Sequence, residues 1–182
     1  VTALTVDGNG RVWAGTWGNG AYRQDGNGGW DRYRAVDSLA SDNVLAAATG
    51  EGLVWLGTGP YLSGQGPRGG IARYDLAAES WRIYTATHGL PADASFPQAP
   101  APVYTIAMDE AGRPWAGTTD GVRFLAGGDW WAAYTATHGL RTGPVRALAL
   151  GHGTAIAATL HGVDRLNAGA TPGEPPVAHI DA

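Results

Sequence analysis

The sequence predicts an all-β fold, a β-propeller of four four-stranded antiparallel blades of about 42 residues each. Three observations predict it. One unit, clearest as Trp115-Ala116-Gly117-Thr118 followed by Gly121-Val122-Arg123, recurs three more times. The earlier copies are Trp13-Ala14-Gly15-Thr16 with Gly20-Ala21-Tyr22-Arg23, and Trp55-Leu56-Gly57-Thr58 with Gly70-Ile71-Ala72-Arg73. A worn fourth copy reads Ile156-Ala157-Ala158-Thr159 with Gly162-Val163-Asp164-Arg165. Second, the spacing is regular: 42 positions from Trp13 to Trp55 and 41 from Trp115 to Ile156. The 60 positions from Trp55 to Trp115 are explained by two insertions, Gly59 to Gly69 and Pro91 to Pro102. Third, hairpin signals such as Asp7-Gly8-Asn9-Gly10 and Thr119-Asp120-Gly121 separate short apolar runs, because Asp, Asn and Gly tolerate the backbone angles of a tight turn.

In the first copy the strands are read at Val1 to Val6, Arg11 to Trp17, Gly20 to Gln24 and Trp30 to Arg34. The second copy gives Val44 to Ala48, Leu53 to Thr58, Gly70 to Tyr74 and Trp81 to Tyr84. The third gives Val103 to Asp109, Arg113 to Thr118, Val122 to Leu125 and Trp130 to Tyr134. The fourth gives Val145 to Leu150, Ala155 to Thr159 and Val163 to Leu166, with Val177 to Asp181 as a candidate last strand after a Pro-rich joint. The blades are thus expected at 1–39, 40–90, 91–140 and 141–168, with 169–182 a Pro/Gly-rich tail or closing strand. The heptapeptide Tyr84 to Leu90 repeats identically as Tyr134 to Leu140.

Composition suits this reading. Of 182 residues 29 are Gly and 8 are Trp, while charged residues are 15%, which favours short strands, tight turns and large aromatic packing units. Seven of the eight Trp fall at two repeat positions, Trp13, Trp55 and Trp115, then Trp30, Trp81, Trp130 and Trp131, and are assigned to blade packing; Trp17 stands apart in a loop. The small pairs Ala14-Gly15, Ala116-Gly117 and Ala157-Ala158 let neighbouring sheets approach closely. A net charge of −4 argues against a nucleic-acid partner. The absence of cysteine removes disulfides and thiolate chemistry, and no apolar run reaches the length of a membrane span, so no membrane insertion is expected. All 12 basic residues are Arg, for which there is no physical account. Val1 opens inside a strand-like pattern without an initiator methionine, and the expectation is a chain processed or cut from a larger one.

At these residues the chain resembles the two-component regulator propeller repeat. The resemblance rests on Asp109-Glu110-Ala111-Gly112, Trp115 to Thr118, Gly121-Val122-Arg123, Trp131 with Tyr134, and Gly139-Leu140, and it covers nearly all of residues 1–166. It implies a non-enzymatic, extracellular or periplasmic sensor module, commonly in tandem ahead of a signalling domain. The family's motif is structural and carries no catalytic residue onto this sequence. Copy four departs from it, lacking the Trp, the Gly and the Trp/Tyr outer strand. The tail Pro175 to Asp181 resembles the joint into the β-sandwich that often follows such propellers.

Strands alternate in direction within a blade, so links from second to third strand and from blade to blade share one face. Both insertions fall on that face, and long loops on a rigid scaffold are where binding concentrates. The candidate ligand-binding residues are therefore Trp17, Asn19, Tyr61, Arg68, His88, Phe96, Gln98, Asp120, His138, Arg141 and His161, with Tyr61, Arg68, Phe96 and Gln98 expected together on the face of His88 and His138. His88 and His138 each sit in a Thr-His-Gly-Leu turn, and their recurrence points to a turn role. With His161 they would hold zinc only if three separate links converged to about 2 Å from one point, so no metal and no cofactor is assigned. Asp7-Gly8-Asn9-Gly10 has a calcium-loop flavour that a hairpin turn explains. No carboxylate pair or activated nucleophile stands at a defined spacing, so no catalytic residue is assigned. The expected partner is a small molecule, a glycan or another protein chain. The alternative is a structural propeller that forms an oligomer or filament through its blade faces, and a propeller lyase is the third reading. Four blades close as a tight ring, form part of a larger propeller, or complete a ring with other copies.

Overall fold

The computed structural model describes residues 1–60, 69–94, 96–168 and 178–180, with the side chains of 96–99 and 178 outside the description. It is a β-propeller. Blade 1 consists of β1 (Ala3–Val6), β2 (Val12–Gly15), β3 (Ala21–Gln24) and β4 (Trp30–Tyr33). Blade 2 follows with β5 (Asn43–Gly50), β6 (Leu53–Gly59), β7 (Gly70–Asp75) and β8 (Ser80–Tyr84). A two-stranded hairpin, β9 (Ala92–Asp93) and β10 (Phe96–Pro100), then precedes blade 3. That blade comprises β11 (Val103–Met108), β12 (Pro114–Thr118), β13 (Gly121–Gly127) and β14 (Trp130–Thr135). Blade 4 comprises β15 (Ala147–Gly151), β16 (Thr154–Thr159), β17 (Gly162–Asn167) and β18 (Ala178–Ile180). Every blade is a consecutive antiparallel meander.

Two findings refine the sequence reading. The insertion at 91–102 carries a strand pair of its own, Phe96 opposite Asp93. The candidate last strand forms, Val163 pairing with Ile180 and Asp164 with His179, so blade 4 acquires an outer strand without a Trp/Tyr pair.

The blades pack through one recurring contact. The indole of β2, β6 or β12 points forward onto the next blade: Trp13 joins Val44, Val54 and Leu56; Trp55 joins Val103 and Ile106; Trp115 joins Val145, Ala155 and Leu166. Each indole stacks on its own blade's outer tyrosine, Trp13 on Tyr33 at 5.4 Å, Trp55 on Tyr84 at 5.7 Å and Trp115 on Tyr134 at 6.1 Å. The first two also meet the next blade's outer Trp edge-on, Trp81 at 6.0 Å and Trp131 at 5.9 Å. Beside each indole a glycine lets the next blade's valine approach. A Cβ placed on Gly15 or Gly57 would lie 2.6 or 2.7 Å from the Cγ1 of Val44 or Val103, and one on Gly117 would lie 2.7 Å from the Val145 carbonyl oxygen.

The pattern ends at both outer blades. No packed sheet pair joins blade 4 to blade 1 among the described residues, as β1 lies on β5, β5 on β11 and β11 on β15. The rear face of blade 1 leaves Leu4, Val6 and Trp30 about half exposed or more. The sequence places Trp30 in blade packing; it stands where Trp81 and Trp131 meet the indole of a preceding blade, and among the described residues no such indole reaches it. Trp130 is also exposed, because its neighbour Trp131 fills the inward position. On blade 4 the forward face carries Ile156 and Ala158 in place of Trp and Gly, and Leu160 and Ile180 are exposed.

Candidate functional site

The residue after the valine at the head of each repeat occupies a special place. The four dipeptides are Val1-Thr2, Val44-Leu45, Val103-Tyr104 and Val145-Arg146. Val44, Val103 and Val145 are fully buried against the preceding blade, whereas Val1 meets no blade on that side among the described residues and is exposed. The ladder of β5 with β6 slips between Val44 and Ala46, and that of β11 with β12 between Val103 and Thr105. Such a bulge takes one residue out of the ladder and re-aims its side chain. Thr2, Leu45, Tyr104 and Arg146 all turn into one cavity among the four inner strands, with a volume of about 500 Å³. This is the size range of small-molecule sites.

The rim of the cavity is supplied by Trp17, Pro60 and Pro102, which lie in second-to-third strand and blade-to-blade links. The Asn43 amide donates to the Pro60 carbonyl and fixes that part of the rim. Trp17 is 47% exposed and offers an open aromatic face. The Arg146 guanidinium carbon sits 3.9 Å from the centre of the Tyr104 ring, a cation–π stack between blades 3 and 4. Arg146 is the sole charged group among the described lining residues.

The other residues singled out from sequence are placed differently. His88 closes the 3₁₀ turn Ala86–His88, where its Nδ1 accepts from the Thr85 N–H at 3.1 Å and its ring meets Tyr84 edge-on at 5.6 Å. His138 does the same in the turn Ala136–His138, accepting from the Thr135 N–H at 3.2 Å. The glycine after each histidine, Gly89 at φ 90° and Gly139 at φ 87°, adopts the left-handed region that stops the turn, which accounts for the repeated Thr-His-Gly-Leu. Asn19 accepts from Arg32 through its side-chain and backbone oxygens. Asp120 pairs with Arg123 at 2.9 Å and accepts from the Thr118 hydroxyl. Arg141 pairs with the buried Asp164 at 3.3 Å and donates to the His161 carbonyl at 2.8 Å. Tyr61 and Arg68 lie outside the described residues, as do the side chains of Phe96 and Gln98, whose backbone forms β10. Of the eleven, Trp17 lines the cavity, while Asn19, His88, Asp120, His138, Arg141 and His161 are tied into turns and ion pairs. Among the described residues no three His, Asp or Glu side chains gather closely enough to hold a metal ion.

Sequence reasoning missed Thr2, Leu45, Tyr104 and Arg146. The available signal was a valine at one repeat position followed by four different side chains. A framework residue stays constant for packing; a neighbour that differs in every copy is free to face a ligand.

Two hairpin turns also resolve. Asp7 Oδ1 accepts from the backbone N–H of Asn9 and Arg11, and Oδ2 accepts from the Trp13 indole at 2.9 Å, with Arg23 Nε at 3.4 Å. Asp109 repeats this with Ala111, Arg113 and the Trp115 indole at 3.0 Å. The carboxylate oxygens are spent on turn and indole. Burial pushes both carboxyls up, but the indole, backbone and arginine partners outweigh it and hold them below the ordinary value of 3.8.

No protein-family model matches the chain, and no curated protein matches it either. Among solved structures, the extracellular domain of BT3049, named as a hybrid two-component system of B. thetaiotaomicron, aligns at a TM-score of 0.69 and 17% identity, covering 92% of this chain and 23% of that one. A GH74 xyloglucanase from Xanthomonas campestris aligns at 0.60 and 20% identity, over 91% of this chain and 27% of that one. A protein named as a gluconolactonase aligns at 0.56 and 14% identity, over 96% of this chain and 61% of that one. The chain spans about a quarter of the length of the first two. At these identities the likeness establishes the fold. No helix among the described residues is long and apolar enough to cross a membrane.

Proposed function

We propose that this chain is a non-enzymatic propeller module that senses a small molecule or glycan outside the cytoplasm, in the extracellular or periplasmic space, through the cavity among its inner strands. One observation carries the reading: each of the four blades contributes one side chain to a 500 Å³ space, and the four side chains differ. A packing device would repeat; this position does not. The lining holds an aromatic face at Trp17, a hydroxyl at Thr2, apolar walls and a cation, which is equipment for holding a ligand. It lacks a paired set of acid, base and nucleophile among the described residues, so binding without turnover fits it better than catalysis. The similarity to an extracellular two-component domain supports the sensing role, while the two enzyme neighbours show that the same scaffold also serves chemistry.

The test is a thermal-shift and calorimetric survey of oligosaccharides and small organic acids against the wild type and a Trp17→Ala, Tyr104→Ala double variant. At least one ligand should stabilise the wild type, lose most of its effect on the double variant, and be recovered chemically unchanged. A ligand that stabilises both proteins equally would move the site elsewhere. Recovery of a cleaved or rearranged product would return the enzyme reading.

The exposed apolar faces of blades 1 and 4 favour a second role, association with another protein chain or a second copy.

A further inference from the structure

Resting on that reading of the cavity, we propose that its ligand carries a carboxylate on a flat ring body, and that Arg146 is the residue that reads the charge. Among the described residues of this acidic chain, six arginines spend their charge on an aspartate: Arg23 on Asp7, Arg34 on Asp42, Arg82 on Asp129, Arg113 on Asp109, Arg123 on Asp120 and Arg141 on Asp164. Arg146 does not. Among the described residues its cation is met by the Tyr104 ring face alone, at 3.9 Å. Stacking uses the guanidinium face and leaves its in-plane N–H donors for a partner, and that planar fork matches the two oxygens of a carboxylate.

The surroundings strengthen this contact. Leu45, Pro60 and Pro102 form apolar walls, and among the described residues no acid lines the cavity to compete for the fork. The exposed Trp17 face provides a surface for a ring, whether the apolar face of a sugar or an aromatic system. The volume admits a few rings at most. A single cation, with no backbone nest among the described lining residues, suits a singly charged carboxylate better than a doubly charged phosphate.

Two sources share this chemistry, an acidic sugar and an aromatic acid, and the experiment separates them. Glucuronate and phenylacetate are titrated by calorimetry into the full chain, each beside its neutral amide, with phenyl phosphate as a further probe. At least one acid should bind about tenfold more tightly than its amide. Arg146→Gln should abolish that preference with only the small drop in melting temperature that loss of an exposed cation–π stack brings, and Arg146→Lys should restore part of it. Preference for glucuronate assigns a sugar, and preference for phenylacetate assigns an aromatic acid. Equal binding of acids and amides, or tighter binding of phenyl phosphate, overturns the carboxylate inference and leaves the cavity reading standing. No binding of any probe, together with a ligand from the wider survey that is insensitive to Trp17 and Tyr104, overturns both.

Discussion

The Trp115 side chain shows how one residue ties local chemistry to blade packing. Its indole is 1% exposed, stacked with Phe124 at 4.8 Å, and donates to Asp109 while covering Val145 and Leu166 of the next blade. Trp115→Ala is expected to cost roughly 3–5 kcal/mol in chemical denaturation, as large-to-small core changes do; a loss under about 1 kcal/mol would contradict its packing role. The Asp109 carboxyl makes a second, pH-linked prediction. Its folded pKa is lowered, so its contribution is fully present above the ordinary carboxyl value of 3.8 and disappears as pH falls through the lower folded value. Asp109→Asn should therefore lower the melting temperature near neutral pH and shrink the gap to wild type below about pH 3. A gap that stays constant from pH 7 to pH 2.5 would show that the charge contributes nothing.

Comparison of the blades as elements exposes a missing partner. In blade 2 the five-residue turn of blades 1 and 3 is replaced by a two-residue turn, Glu51-Gly52, with Glu51 at φ 52° and Gly52 at φ 75°. Gly50 stands where Asp7 and Asp109 stand, and the Trp55 indole N–H and Arg73 Nε are buried with no hydrogen-bond acceptor among the described residues. An added Cβ at Gly50 meets the flexible end of Met108 at 3.0 Å. Gly50→Asp is expected to supply the acceptor and stabilise by about 1–2 kcal/mol, the scale of a charge-assisted hydrogen bond less its desolvation. An unchanged or lower melting temperature would mean that the shorter turn holds the carboxylate away from the indole. The same comparison explains what the sequence made legible. Repeat period, Trp position and turn residues are local or periodic, so the blades could be read from them directly. The Asp–Trp hydrogen bond needs the turn and the strand to be superposed in space. The cavity depends on bulges at Leu45 and Tyr104, which arise from strand pairing and leave no local signature. His88 and His138 drew attention by chemistry, yet the backbone claims them.

For the whole molecule, the open outer faces decide solution behaviour. Leu4, Val6 and Trp30 on blade 1 offer the same kind of rear surface that blades 2 and 3 offer to a forward indole, while blade 4 presents Ile156 and Ala158 forward. Contact between the rear of one copy and the front of another is heterologous, so it grows into a ring or a filament. The isolated 182-residue chain is expected to show a mass that rises with concentration, and Trp30→Glu should restore the 18.8 kDa monomer. A monomer at every concentration with wild-type Trp30 would remove the assembly role. Copy four's departures fit this picture. The glycine is demanded where a valine presses in, and Ala158 meets none among the described blades.

The residue after each head valine has one more consequence, for inheritance. Val and Gly are bound to the fit between blades, so duplication of a repeat must carry them along wherever another blade packs against it. Thr2, Leu45, Tyr104 and Arg146 share the chain's repeats but few of those duties. The four positions thus behave as letters of a short word written on a fixed page. If the proposed cavity holds a ligand, a single codon change at one of them is expected to alter what is recognised, and the page stays flat.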